Sequence, residues 1–306
     1  MKTIPPFLQP GDVIGICAPA RKVSPEEMKD GIAWLSEKGF RVKESSNLYK
    51  QQNQFSGTDA ERASDLQLLI NDPEVKAILF ARGGYGCVRI IDQVDFTPLE
   101  KHPKWLIGFS DMTVIHSHVN RHKLLCTLHA PMMINLMDDK RNEEAANKII
   151  DVLTGKSIRY TSSSQELNRL GTCEGELVGG NLSLLYALAG TPSDINTDGK
   201  ILFIEDLDEY LYHIDRMMMQ LKRSGKLKKL KGLIVGGMSD MRDNAIPFGK
   251  SAEEIISEAV SEYSYPVCFN FPSGHIDRNL PLIFGAEVKL EVGMNVDLTF
   301  LYESAS

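Results

Sequence analysis

Short apolar runs alternate with helical patterns along the first half of this 306-residue chain. That alternation constrains the fold more than any other feature, because parallel strands can be joined only through crossover segments. Asp12 to Ala18 reads as a strand. Ser24, with Pro25 after it and Glu27 three residues on, predicts a capped helix start, and Gly39 its end. Thr58 with Glu61 repeats the device ahead of Leu66, Leu69 and Ile70, and Pro73 stops that helix. Val75 to Ala81 and Trp105 to Phe109 read as buried strands. A helix from about Met112 to His122, a strand around Leu125 to Leu128 and a charged helix from Glu143 to about Leu153 complete the half.

A chain of this length is long for one core and comfortable for two. The expected architecture is α/β in two domains: residues 1–154 as a parallel-sheet domain of flavodoxin or Rossmann type, and 171–306 as a second α/β domain with a β-rich end. Gly155 to Leu170 is polar and Ser-rich, and reads as the linker between them. Strands are expected at Gly175 to Val178, Ile201 to Ile204, Gly232 to Gly236 and Val267 to Phe271, with helices between.

The formal net charge of −7 argues against a nucleic-acid partner, which would be met by clustered Lys and Arg. The one basic run, Lys222 to Lys231, reads as a helix end and turn, where the macrodipole favours cations. Pro5, Pro6 and Pro10 interrupt the N-terminus before an export signal can form, and no apolar run reaches the ~20 residues that span a bilayer. The expectation is a cytoplasmic protein with no membrane contact. The five cysteines, Cys17, Cys87, Cys126, Cys173 and Cys268, are scattered without a C-x-x-C pair, and read as buried thiols rather than metal or redox groups.

Three polar residues sit where a strand stops: Ser110 after WLIGF, Glu205 after ILFI, and His275 beyond PVCFNF. Open α/β sheets place their ligands at such carboxyl ends. A serine hydroxyl needs a histidine to accept its proton and a carboxylate to orient that imidazole, and the trio offers one of each. Being spread over both halves, the three could meet only at the interface between domains. Ser110 is also a candidate N-cap of the helix that follows. Gly108-Phe109-Ser110-Asp111-Met112 has the strand-to-helix setting of a nucleophile elbow but lacks the second glycine of G-x-S-x-G. Arg82-Gly83-Gly84-Tyr85-Gly86 is a glycine-rich strand-to-helix turn whose N–H groups could hold an oxyanion or a phosphate. It fits neither the Walker pattern nor G-x-G-x-x-G, so no nucleotide cofactor is expected.

GFSD at Gly108 to Asp111, RGGYG at Arg82 to Gly86, GGNLS at Gly179 to Ser183, ED at Glu205 and Asp206, and SGH with NLPL around His275 resemble the LD-carboxypeptidases, or muramoyl-tetrapeptide carboxypeptidases, relatives of the microcin-immunity peptidases. The resemblance runs from PGDVIGICAP to LPLIFGA, nearly the whole chain. It implies Ser110 as nucleophile, His275 as base and then acid, Glu205 as orienting carboxylate, and the backbone N–H groups of Asp111 and Gly84 as oxyanion hole. It implies removal of a terminal D-Ala from a muropeptide, without metal or cofactor. A homodimer is the expected assembly. Ile276 and Ala130 stand where the family often shows glycine. Arg82 and Arg278 are candidates for the substrate's terminal carboxylate. The alternatives are a peptidase acting on a peptide–nucleotide antibiotic, which would need an aromatic ring to stack the base, and a catalytically silent binding module for wall fragments.

Other groups weigh less. His118 and His122 have the i, i+4 spacing of a metal pair but no glutamate completes H-E-x-x-H, so with His116 they read as an exposed or partly packed helix face. Met217, Met218 and Met219 read as core or subunit contact. Asp206, Asp208 and Glu209 read as a solvated turn. Trp34 and Trp105 read as core.

Overall fold

A computed structural model describes residues 2–122 and 125–302. Along the first half run β1 (Val13–Cys17), α1 (Pro25–Glu37), β2 (Arg41–Glu44), α2 (Asp59–Asn71), β3 (Val75–Phe80), α3 (Cys87–Ile90), β4 (Trp105–Gly108), α4 (Thr113–His122), β5 (Thr127–His129) and α5 (Glu143–Leu153). The second half contributes β6 (Arg159–Ser163), β7 (Gly171–Asn181), α6 (Leu182–Ala187), β8 (Ile201–Leu207), α7 (Leu211–Arg223), β9 (Gly232–Ser239), α8 (Ala252–Ala259), β10 (Val267–Cys268), β11 (Leu282–Phe284), β12 (Glu287–Val292) and β13 (Asn295–Phe300).

The helix starts follow from local chemistry. The Ser24 and Thr58 hydroxyls accept the Glu27 and Glu61 N–H, and each glutamate returns to the cap's own N–H, so two orphan donors are satisfied at each start. Ser251 and Glu254 do the same for α8.

The first sheet has the order β2-β1-β3-β4-β5-β11. Its first five strands are parallel and follow the flavodoxin-like 2-1-3-4-5 arrangement, with the order reversing between β1 and β3. Two expectations are corrected here. The sheet is not built from the N-terminal half alone: β11 lies antiparallel on β5, Leu282 opposite His129. Nor is 155–170 free of regular structure, since β6 lies within it and pairs with β13, Tyr160 opposite Leu298. Tyr160 is buried there, with its hydroxyl donating to the Pro281 carbonyl.

The second sheet runs β10-β9-β8-β7-β12-β13-β6, parallel across β10 to β7 and antiparallel from β7 through β12 and β13 to β6. One apolar cluster continues between the sheets, with Phe203 of β8 against Phe284 of β11. Both tryptophans are buried, as are Met217 and Met218, while Met219 is partly exposed. Cys17, Cys87, Cys126 and Cys268 are buried free thiols and Cys173 is half-buried. Among the described residues no helix is long and apolar enough to cross a membrane.

Candidate active site

Ser110 follows the carboxyl end of β4 in a left-handed conformation, with φ +62°. Non-glycine residues hold that conformation only where the surroundings enforce it, and strand-to-helix turns that expose a nucleophile do so. The chain leaves β4 through a single 3₁₀ turn, Ser110 to Met112, before α4 begins. The Ser110 side chain does not cap that turn. It faces His275 instead, with 3.1 Å between Oγ and Nε2.

The other imidazole nitrogen, Nδ1, lies 2.6 Å from Glu205 Oε2, and the His275 backbone N–H donates to the same oxygen at 3.1 Å. Glu205, on β8, is fully buried. The three side chains that the sequence picked out at strand ends thus form one relay across the two sheets. Burial alone would lower the His275 pKa, but the Glu205 charge and hydrogen bond, with Asp206 further away, outweigh it and hold the imidazole above its usual value.

The loop carrying His275 is braced on several sides. Ser239 Oγ donates to the His275 carbonyl at 2.6 Å, and Gly274 N–H donates to Asn279 Oδ1 at 2.8 Å. Phe109 packs on the imidazole with ring centroids 4.7 Å apart, and beyond it lies His129, fully buried among Phe109, Phe203 and Phe284. Burial holds the His129 pKa well below the usual histidine value.

The glycine-rich turn lies beside Ser110: a Cβ placed on Gly83 would stand 3.0 Å from Ser110 Cβ and 3.2 Å from Oγ. Gly84 has φ +106°, and among the described residues its N–H meets no acceptor. Asp111, fully buried, ties this turn to the serine, since its Oδ2 accepts the Cys87 N–H at 2.8 Å, the first N–H of α3. Burial raises the Asp111 pKa against that bond.

Asp206 corrects the solvated-turn expectation. It is buried, and accepts from Asn181 Nδ2, Ser183 N–H and Leu207 N–H, each at 2.9 Å. Burial, then the neighbouring Glu205 charge, raises it to about 7. Asp208 and Glu209 do lie at the surface, pairing with Arg242 and His213. His116 is likewise not on an exposed face: it is buried, with Nε2 2.7 Å from the Gly108 carbonyl, and burial lowers its pKa to about 4. Among the described residues no cluster of His, Cys, Asp and Glu could hold a metal ion.

The two arginines chosen for the substrate carboxylate are committed elsewhere. Arg278 makes a two-pronged pair with Glu144, at 2.7 and 2.8 Å, and Arg82 lies 3.3 Å from Glu27. A cleft of about 660 Å³ opens on the His275 side, with Phe109, Leu136, Lys140, Ile276 and Asp277 among its walls. Sequence reasoning missed this cleft because its walls come from loops of both halves with no shared motif.

Comparison with known proteins identifies the family. Residues 14–130 match the model of the LD-carboxypeptidase N-terminal domain and 174–290 that of the LD-carboxypeptidase C-terminal domain. A protein of Bacillus subtilis described as a probable murein peptide carboxypeptidase is 37% identical over 94% of this chain and 91% of its own length. The crystal structure of muramoyltetrapeptide carboxypeptidase from Oxalobacter formigenes superposes with a TM-score of 0.87 at 29% identity, over 96% of this chain and 100% of that one. The microcin C7 self-immunity protein of Escherichia coli is 26% identical over 96% of this chain and 95% of its own.

Proposed function

The chain belongs to the LD-carboxypeptidase family, and on that premise we propose that it is a serine carboxypeptidase that releases the terminal D-Ala from a muramoyl-tetrapeptide. The observation that carries this reading is the Ser110–His275–Glu205 relay, with steps of 3.1 and 2.6 Å, on a serine held at φ +62°.

In this reading Ser110 Oγ attacks the carbonyl that joins the L-configured centre of the third residue to D-Ala, while His275 Nε2 takes its proton. Glu205 fixes the imidazole so that Nδ1 carries the hydrogen, and stabilises the imidazolium that forms. The N–H groups of Asp111 and Gly84 receive the oxyanion. His275 then protonates the departing amine, and water, activated by the same histidine, releases the acyl group. Residues 1–154 supply the nucleophile and 171–306 the base and carboxylate. We also propose a cytoplasmic location and a homodimer, the commonest closed assembly; cell fractionation and light scattering test these.

Both tryptophans are buried in the core, so the antibiotic-detoxifying alternative would have to stack its nucleobase on another ring. Mass spectrometry of the protein incubated with a muramoyl-tetrapeptide and with the matching pentapeptide is the test, with Ser110→Ala beside it. Loss of one D-Ala from the tetrapeptide by the native protein but not by the variant is expected. Cleavage of neither peptide would overturn the reading and leave a binding module, and equal cleavage by protein and variant would remove Ser110 as the nucleophile.

A further inference from the structure

We propose that Arg21 is the residue that reads the free terminal carboxylate of the substrate, a role that rests on the carboxypeptidase reading above. A carboxypeptidase must place a cation at a defined reach, because the terminal carboxylate carbon of the departing residue is only three bonds from the carbonyl under attack. One residue spans ~3.8 Å, so the cation must stand about one residue from the Ser110 hydroxyl.

Arg21 stands beside the turn that flanks Ser110. It follows β1, and the glycine-rich turn follows β3, so the two face each other where the strand order of the first sheet reverses. Open α/β sheets bind ligands in this crevice. The stem of Arg21 crosses the turn directly: a Cβ on Gly84 would overlap the Arg21 Cγ and Cδ, with Nε at 3.4 Å. The adjacent Gly83 is the residue whose missing Cβ faces Ser110 Oγ at 3.2 Å. One peptide unit therefore separates the arginine stem from the nucleophile, and that unit carries the Gly84 N–H proposed for the oxyanion.

The backbone beneath Arg21 is pinned. Buried Arg62 donates from Nη1 to the Pro19 carbonyl and, at 3.1 Å, to the Gly86 carbonyl, clamping the loop after β1 to the turn after β3. Arg21 N–H donates to the Gly83 carbonyl at 3.4 Å. The guanidinium, by contrast, has no hydrogen-bond or ion-pair partner among the described residues and is exposed. Arg82 and Arg278 have carboxylate partners and Lys22 reaches Gln51. A planar, always-charged fork left open beside an oxyanion site is suited to a carboxylate. Neither Arg21 nor Gly84 lines the 660 Å³ cleft, which leaves that larger space for the acyl portion of the peptide.

The test compares cleavage of a muramoyl-tetrapeptide with cleavage of its C-terminal D-alaninamide form by wild type, Arg21→Gln and Arg21→Lys. Glutamine keeps a stem across Gly84 without the charge. Wild type should prefer the free acid. Arg21→Gln should lose about 10- to 100-fold in kcat/KM on the free acid, mostly through KM, and little on the amide. Arg21→Lys should keep part of the preference. An Arg21→Gln enzyme that retains the preference, or falls equally on both substrates, overturns the assignment while the carboxypeptidase reading stands. A wild type that cleaves both substrates equally overturns it as well. A wild type that cleaves neither removes the carboxypeptidase reading, and the assignment falls with it.

Discussion

Thr113 Oγ1 accepts the Asn181 backbone N–H at 3.0 Å, joining the first residue of α4, close after Ser110, to the last residue of β7 in the other sheet. The bond is buried, and Gly180 makes it possible, since a Cβ there would come within 2.5 Å of the Thr113 hydroxyl. It is one of the contacts that bring Ser110 within reach of Glu205 and His275.

Thr113→Val should therefore do more than remove one hydrogen bond. The isosteric side chain leaves the Asn181 N–H buried without an acceptor, a loss of about 1–3 kcal/mol. Urea unfolding should show that loss, and kcat should fall as the sheets lose their register. Thr113→Ser, which keeps the acceptor, should stay near wild type in both. Equal stability of Val and Ser variants would show that the contact does not hold the halves together.

The raised pKa of His275 sets the pH dependence. The histidine must be neutral to accept the Ser110 proton, so kcat/KM should rise with pH through a value above the usual ~6.5 of histidine. In Glu205→Gln, burial acts without the opposing charge, so the acid limb should move to lower pH while kcat drops on the order of 10⁴-fold. Linkage gives the matching stability effect. A pKa raised by folding stabilises the protein at pH values below the unfolded one, and that contribution is lost as pH rises through the folded value. An acid limb that stays in place in the Gln variant would separate Glu205 from the titration.

Asp206 offers a second titration check, coupled to the relay through the Glu205 charge. Asparagine there would turn an amide towards one of three N–H donors, at a cost of about 1–3 kcal/mol. Because burial and the Glu205 charge raise the Asp206 pKa to about 7 from 3.8, the stability this group contributes is present at low pH and is lost as pH rises towards 7. The gap between wild type and Asp206→Asn should accordingly narrow from pH 5 to pH 8 in urea titrations. A gap that widens would mean that the three donors, not burial, govern its ionisation.

The proposed triad was legible because Ser110 and Glu205 each follow a run of apolar residues long enough to read as a strand, His275 lies a few residues beyond another, and Ser110 stands in GFSD at a strand-to-helix junction. Its left-handed backbone was hidden, since no second glycine marks the elbow. Strand β11 escaped notice because three residues, Leu282 to Phe284, are too short to show a period, and its pairing with β5 bridges about 150 positions of chain. β6 was hidden by its composition, RYTSS, which only Tyr160 anchors in the core. Asp206 was misread because adjacent acids suggest solvent, whereas the alternation of β8 turns Glu205 towards His275 and Asp206 towards the start of α6. Arg82 and Arg278 were chosen by charge and position, and ion pairing across 55 and 134 residues cannot be read locally.

Gly274→Ala gives the sharpest test of how the carboxylate is held. Gly274 has φ +105°, and a Cβ on it would stand 2.7 Å from Glu205 Cβ and 2.8 Å from Oε2, the atom that binds His275. Alanine must push the buried carboxylate aside or move the loop carrying the histidine. Backbone strain of about 1–3 kcal/mol accompanies either response. Gly190→Ala isolates that strain, because Gly190 also has positive φ, at +78°, but nothing lies within 4 Å of its Cβ position. Both variants should melt earlier than wild type. Only Gly274→Ala should also lose kcat, on the order of 10²-fold with KM little changed, since a displaced orienting group weakens the transition state more than substrate binding. If the two variants lose stability alike and Gly274→Ala keeps its kcat, Glu205 tolerates displacement and its contact with His275 is not what positions the base.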